Sequence, residues 1–455
     1  MLLSNSSEKD SIKRSLVLAG GGMRVAYQGG VLKALEEAAL SFQHVDGTSG
    51  GTMNAAMLFS DLTPTEICER WRSLKLSGFV SFLPLKNYLN PFKLKAFGSA
   101  DGIIKKVFPH LGIDIALINQ NKKSEATFNV CNFSTKQNIS LSQRDLTLPH
   151  LIAGISLPIF MPAVKIDGDW YSDSVWIKDA NLMEAVRRGA EEIWLVWCIG
   201  NSPEYKDGSF LQYVHMIEMS ANGVLLEELQ SVAELNERIQ KGDSPYGQKN
   251  VIKLHVIKPH FPLPLDPDFF MGSINAHELV NIGYQNTKQY LKNQPPLGVA
   301  LDWRATAMTE PGLSIVSRQV YQGKTNIQKH ELRLRLRAET YKAHEDGSAA
   351  SLQSLTLYGD ISFAGINNQP FKSGNFTWGS FVNPCNFSAV FVTGDGEWQL
   401  EGKVTIVAFW KMLVGRGATL GLTIYKENVV FDEVLCNINL WRMLLITYKK
   451  WRAKK

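Results

Sequence analysis

The sequence predicts an α/β domain with a mostly parallel central sheet, followed by a mainly antiparallel β domain of the sandwich type. Three observations predict this. Between about residue 12 and about residue 290, short apolar runs bounded by glycine alternate with stretches of helical spacing. The segment Asn293-Gln294-Pro295-Pro296 breaks that rhythm. Beyond about residue 328 the apolar pattern has period two. The expected domains are therefore 12–295 and 326–455, joined by a linker over 296–325.

The elements of the first domain follow in order. Leu16-Val17-Leu18-Ala19 is a short apolar run ending in Gly20-Gly21-Gly22, which reads as a buried strand and a glycine loop. Val31, Leu32, Leu35 and Ala38 have helical spacing. Phe42 to Val45 is a second strand, Gly47 to Gly51 a turn, and Met53 to Phe59 the start of a second helix. Phe128 to Phe133, Glu192 to Cys198 and Val251 to Ile257 are further strands. Residues 150–158 read as a helix ending at Pro158, and a helix over 275–292 closes the domain. The aromatic run Phe79, Phe82, Tyr88 and Phe92 fits the lining of a channel, a lid, or plain core packing.

In the second part Leu332, Leu334 and Leu336 alternate with Arg333, Arg335 and Arg337, so the arginines are expected on the solvated face of a strand. A lipid-phosphate or partner patch is the sharper alternative. Leu355 to Phe363, Ala389 to Val392, Val404 to Trp410 and Thr419 to Tyr425 are further strands.

Composition narrows the function. A chain of 455 residues with 45% hydrophobic and 20% charged residues is a folded protein of more than one core. A net charge of +5 is small over this length; it suits an anionic membrane surface and does not call for nucleic acid. No zinc-finger spacing or paired RNA-binding aromatic motif is present, so no nucleic-acid partner is expected. Cys68, Cys131, Cys198, Cys385 and Cys436 are scattered without a CxxC pair, which reads as free thiols in a reducing compartment. The start is polar after three residues, and no apolar run approaches about 18 residues. The expected location is the cytoplasm, with peripheral contact at a membrane when the substrate is a lipid. Oligomeric state is not legible.

Gly47-Thr48-Ser49-Gly50-Gly51 places a serine between a strand and a helix, the setting of a nucleophile elbow. A sharp turn with small neighbours exposes the hydroxyl, and the following helix aims its first amides at the reaction site. The residues alone leave open a plain turn in which Ser49 caps the helix. Gly20-Gly21-Gly22-Met23-Arg24 is the second signal, because glycines there let backbone N–H groups approach an anion. The loop lacks the Gly-Lys-Ser/Thr of a P-loop and the third glycine of a dinucleotide site, so an oxyanion hole over Gly20 to Met23 fits better. Arg24 either orients that loop or meets developing charge; its plain role is a salt bridge. His255, His260 and His277 follow Ser49 in the chain order of an esterase triad but have no local motif, and His44 belongs to a strand.

Together these blocks resemble the patatin-like phospholipases over roughly residues 12 to 290. The second block of that family is matched by Ser156-Leu157-Pro158-Ile159-Phe160-Met161-Pro162, followed by Tyr171-Ser172-Asp173. The resemblance implies a patatin-like layered domain and a Ser-Asp dyad in place of a triad. Its register puts the base on Asp173, with Asp167, before Gly168, as the alternative. The family has glycines where this chain has Ser174 and Val175, and its usual residues differ at Val25, Gln28 and Asp179. The implied activity is hydrolysis of fatty-acyl esters of phospholipids or related glycerolipids by Ser49 and Asp173, with the glycine loop as oxyanion hole and Gly47, Gly50 and Gly51 in support. No metal or cofactor is needed on this route, and no HExxH spacing is present. A catalytically degenerate lipid-binding or protein-interaction module is the alternative.

Overall fold

A computed structural model describes residues 2–4, 12–79, 81, 95–201, 205, 207–264, 274–308, 313–325, 330–341, 355–377, 385–406 and 416–439. The chain forms two compact units, Met1–Thr309 and Glu310–Lys455.

The first unit is built on a sheet with eight strands among the described residues. Its centre is β1 (Arg14–Leu18), flanked by β2 (His44–Gly47) and β7 (Glu192–Val196). β3 (Glu125–Asn132) lies beyond β2, and β8 (Lys253–Ile257) beyond β7. These five strands are parallel, with Leu16 opposite Val45 and Trp194. Helical layers cover both faces of such strands, which explains why β1 and β7 read as continuous apolar runs. Antiparallel strands extend the β3 side: β4 (Gln137–Ser142), β5 (Val164–Ile166) and β6 (Asp169–Ser172).

The first helices are α1 (Ala26–Glu37), α2 (Gly50–Phe59) and α3 (Pro64–Ser73). Shorter helices follow: α4 (Phe108–Leu111), α5 (Ile115–Gln120), α6 (Leu148–Gly154) and α7 (Leu182–Arg187). α8 (Ser209–Gln240) packs Leu225, Leu229 and Val232 into one core with Ile193, Leu195, Leu254 and Val256. α9 (Ala276–Lys292) serves the opposite face, where Tyr290 meets Trp194 and His255. α8 has no counterpart among the elements expected from the sequence, although its 32 residues make it the longest described helix.

α1 is wedged between neighbours through two glycines. A Cβ on Gly30 would stand 1.9 Å from the Val280 carbonyl oxygen of α9, and one on Gly283 would stand 2.0 Å from the Tyr27 carbonyl oxygen. The two backbones therefore touch without side chains between them.

Chain order places a crossover at β1. The chain leaves β1 for β2 on one side and later returns to β7 on the other. In open α/β sheets the crevice beyond the carboxyl ends at such a point is where ligands bind. Here it receives the glycine loop after β1 and the serine turn after β2.

The second unit is one antiparallel sheet of nine strands among the described residues. They are β9 (Leu313–Lys324), β10 (Glu331–Tyr341), β11 (Leu355–Phe363), β12 (Ile366–Pro370), β13 (Ser373–Thr377), β14 (Cys385–Thr393), β15 (Gly396–Ile406), β16 (Arg416–Lys426) and β17 (Val429–Asn439). The sheet curls until β17 comes against β9. Its inner face, with Leu334, Phe363, Phe391 and Leu400, supplies both sides of the expected sandwich-like core. β9 falls inside the segment read from sequence as a linker. The expected strand at Val404 to Trp410 is seen to Ile406, and the rest lies outside the described residues. Of the alternating arginines only Arg333 is exposed. Arg335 pairs with buried Asp360 at 2.6 Å across the β10–β11 register, and Arg337 is itself buried, so this face is only partly solvated.

The glycines give a contrast that urea unfolding can read. Gly30→Ala and Gly283→Ala are each expected to destabilise the protein by about 1–3 kcal/mol or more, because backbone rather than a flexible side chain must move. Gly223 in α8 is exposed, with nothing within 4 Å of a Cβ, so Gly223→Ala is expected to stabilise by about 0.5–1 kcal/mol.

Candidate active site

Ser49 has φ 50° and ψ −127°, a conformation that costs a residue with a side chain. Its neighbours explain how it is held. A Cβ on Gly51 would stand 2.1 Å from the Leu18 carbonyl oxygen, and one on Gly50 would stand 2.7 Å from Val25 Cγ1 and 2.9 Å from the Gly22 carbonyl oxygen. One on Gly47 would meet Ala55 Cβ at 3.0 Å. Gly50 and Gly51 leave no room for a side chain, and Gly47 is tight, so the turn presses against the end of β1 and the glycine loop. Ser49 stands at the N-cap of α2 but makes no capping hydrogen bond. Its Oγ instead donates to Asp173 Oδ2 at 2.6 Å.

Asp173 follows β6 and is 1% exposed. Its N–H donates to the Ser156 carbonyl oxygen at 3.1 Å, and its Oδ1 accepts from the Val175 N–H at 2.9 Å. Burial pushes its pKa up to about 7, although the bonds from Ser49 and Val175 favour the ionised form. Asp167 is elsewhere: it and Gly168, with φ 49° and 96°, form the exposed turn of the β5–β6 hairpin. Neither Ser174 nor Val175 has a positive φ, so the backbone there does not require the family's glycines.

The glycine loop adjoins the serine. A Cβ on Gly20 would stand 2.9 Å from Ser49 Cβ. Gly21 and Gly22 have φ 150° and 57°. Gly20 N–H turns to the Asp179 carbonyl oxygen at 3.4 Å, while Gly22 opens a short 3-10 turn, Gly22–Val25, whose first amides have no acceptor within that turn. Gly50 N–H stands likewise at the first position of α2. Arg24 Nε donates to the Gly21 carbonyl oxygen at 3.0 Å, so Arg24 braces the loop from within.

Residues with no sequence motif anchor this arrangement. Gln28 Nε2 donates to the Ala19 carbonyl oxygen at 2.6 Å. Asn54 Nδ2 donates to Gln28 Oε1 at 2.8 Å, and Trp71 Nε1 donates to Asn54 Oδ1 at 2.8 Å. Beneath the turn, Asn129 Nδ2 donates to Asp46 Oδ1 at 2.7 Å and to Thr48 Oγ1 at 3.1 Å. Asn181 Nδ2 donates to Asn129 Oδ1 at 3.0 Å. Burial, the largest influence, raises Asp46 to about 7 as well.

Ser49 and Asp173 open into a cavity of about 660 Å³. Met23, Met53, Ile155, Leu157, Phe160 and Ile217 are among its apolar walls. Phe79 also lines it, whereas Phe82, Tyr88 and Phe92 lie outside the described residues. Of its lining residues Phe97, Phe160 and Phe210 are exposed, and Phe160 contacts the rings of Phe97, Phe210 and Tyr213; Ile159, next to Phe160 in the chain, is exposed too. Ile159 has φ 76°, an outlier for a β-branched residue.

Three of the histidines engage away from Ser49. His44 bonds Ser15 and Thr127, His255 bonds Tyr290, and His260 bonds Gln289. Among the described residues no group of three or more His, Cys, Asp or Glu is placed to hold a metal ion. Among them, too, no helix is long and apolar enough to cross a membrane. Cys68, Cys131, Cys198 and Cys385 are free thiols.

No curated protein matches the sequence. Among solved structures the chain is similar to VipD from Legionella pneumophila, at 12% identity and a TM-score of 0.31, over 64% of this chain and 70% of that one. It is similar to the type III effector protein ExoU at 11% identity and a TM-score of 0.16, over 65% of this chain and 78% of that one. Both likenesses are distant. Residues 16–186, which carry the glycine loop, the serine turn and Asp173, match the family model of the patatin-like phospholipases, a lipid-acting hydrolase fold.

Proposed function

We propose that this protein is a serine acyl hydrolase that cleaves fatty-acyl esters of phospholipids or related glycerolipids. The observation that carries the reading is the 2.6 Å hydrogen bond from Ser49 Oγ to a buried Asp173, at the wall of an apolar cavity. Asp173 as carboxylate takes the Ser49 proton while Oγ attacks the ester carbonyl. The N–H groups of Gly21, Gly22 and Met23 would receive the oxyanion, with help from Gly50 N–H, while Gly20 N–H is turned to the Asp179 carbonyl oxygen. Collapse returns the proton to the departing alcohol and leaves the acyl group on Ser49. Asp173 then takes a proton from water as the water oxygen attacks the acyl-enzyme, and it returns that proton to Ser49 Oγ as the C–Oγ bond breaks and the fatty acid leaves. The cavity is within the usual range for small-molecule sites and offers an acyl chain apolar walls.

The degenerate reading draws on Ser174 and Val175. It is weakened because Val175 N–H bonds Asp173 Oδ1 and neither residue needs a left-handed backbone. Ser49→Ala and Asp173→Asn are each expected to lower hydrolysis of a phospholipid about 10³-fold or more, with unchanged circular dichroism. Full activity in Asp173→Asn with its loss in Asp167→Asn would move the base to Asp167.

The pH dependence has a fixed sign. The base must be ionised, so kcat/KM is expected to rise with pH through about 7. Asp173 binds its proton more tightly when folded than when unfolded. That contribution to stability is complete below about pH 4 and fades as pH rises toward about 7. Thermal unfolding should therefore show Asp173→Asn gaining on wild type across that window; a constant difference would contradict the raised pKa.

The substrate is reached from the aqueous side, as a peripheral contact with a membrane and as expected of a cytoplasmic protein. Exposed Phe97, Ile159, Phe160 and Phe210 form the surface we assign to that contact. Ile159 is 51% exposed and strained, so Ile159→Gly removes the apolar tip and relieves the backbone together. It is expected to leave unfolding temperature equal or higher and hydrolysis of a short soluble ester unchanged, while slowing hydrolysis of phosphatidylcholine–phosphatidylglycerol vesicles several-fold. Equal loss on both substrates would contradict a docking role.

A further inference from the structure

One buried acid near the site has no part in the mechanism above. Asp179 is 0% exposed, and neither carboxyl oxygen has a hydrogen-bond partner. It does not line the cavity. Its Oδ1 lies 2.3 Å from the point where a Cβ of Gly20 would stand, and Ser49 Cβ lies 2.9 Å from that same point. The carboxyl group is thus packed against Gly20 of the glycine loop, outside the cavity lining.

The groups that face it come from three elements. The 3-10 turn after the loop brings Arg24, the turn after β6 brings Asp173, and the chain after β7 brings Cys198. Arg24 and the Gly20 N–H both favour the ionised form, but less than burial and Asp173 oppose it, and the Gly20 hydrogen bond goes to the Asp179 carbonyl oxygen. Arg24 commits its Nε to the Gly21 carbonyl. A carboxylate buried without hydrogen bonds, beside a second carboxylate, is strongly disfavoured against its neutral form.

We propose that Asp179 is a protonated carboxylic acid in the working protein and a positioning residue for the glycine loop. Its neutral head fills the space beside Gly20 and keeps a second negative charge away from the acyl oxygen. Burial, reinforced by the charge of Asp173, raises its pKa well above the ordinary carboxylate range, in agreement with this assignment. The catalytic part of the inference rests on the hydrolase reading; the protonation does not.

The full chain tests both parts. An unfolded Asp179 ionises near pH 4, whereas a folded neutral one keeps its proton. Each pH unit above about 4 then shifts the folding equilibrium of wild type up to about tenfold against that of Asp179→Asn, which has the same shape and no charge. The difference in unfolding temperature between the two should widen from about pH 5 to about pH 8. A difference that stays flat overturns the assignment, and this readout needs no hydrolysis. If Asp179→Asn does not fold, carbon-13 NMR of wild type labelled at aspartate carboxyls decides. An aspartate still protonated at about pH 8.5, above the titration of Asp46 and Asp173, supports the proposal, and none overturns it. For positioning, Asp179→Ala empties the space beside Gly20. It should lower kcat about tenfold or more with KM little changed, and Asp179→Asn should restore kcat. An alanine variant with wild-type kcat would remove the positioning role. A widening stability difference in a chain that cleaves no ester would keep the protonation and reject the hydrolase reading.

Discussion

The site depends on a backbone contact that leaves no room for a side chain. At Gly51 the place of a Cβ is 2.1 Å from the Leu18 carbonyl oxygen, so the first turn of α2 rests directly on the end of β1. That contact forces the turn after β2 to be sharp. The sharp turn holds Ser49 at φ 50°. The same compression brings Gly50 against Gly22, so serine, loop and helix N-terminus converge on one volume. A side chain at Gly51 would push all three apart. Four parallel strand pairings around β1 supply the stiffness that keeps the strain in place.

A second theme is the burial of acids. Asp46, Asp173 and Asp179 are all enclosed, and burial raises each of them. For Asp173 this has an evident use, because an ordinary aspartate is too weak a base to take a proton from serine near neutrality. Asp46 holds Asn129 under the turn, and Asn129 in turn meets Thr48 and Asn181. The network ties the strand that carries the serine to the segment that follows the aspartate. Stability given up at neutral pH by burying these groups is the counterpart of a preorganised site.

What was legible in the sequence was local. Gly-rich turns between an apolar run and a helical pattern announce themselves because the steric demand sits within a few residues, as at 20–22 and 47–51. Asp173 was legible through its distance from Pro158, Phe160 and Tyr171, a family register and not a physical signal. What was missed is long-range. Asn129 meets Asp46 across 83 positions and Asn181 across 52, and nothing in a run of strand residues marks such partners. α8 was missed for another reason. Its second half has the spacing Leu225, Leu229, Val232, Leu235, but its first half places Phe210, Tyr213, Val214 and Ile217 toward a cavity and leaves Met216 and Met219 exposed. Apolar residues on more than one face hide the helical period. β9 was not legible because its residues do not alternate: the apolar pairs Ile315-Val316 and Val320-Tyr321 are separated by Ser317-Arg318-Gln319.

The central claim is that a buried aspartate near neutrality activates Ser49. The most direct measurement is the rate of covalent labelling by a fluorophosphonate as a function of pH, with the adduct located by peptide mass spectrometry. The account predicts an adduct on Ser49, formed faster as pH rises through about 7 in wild type and scarcely formed in Asp173→Asn. Labelling of Asp173→Asn at the wild-type rate, or an adduct on another residue, would contradict it.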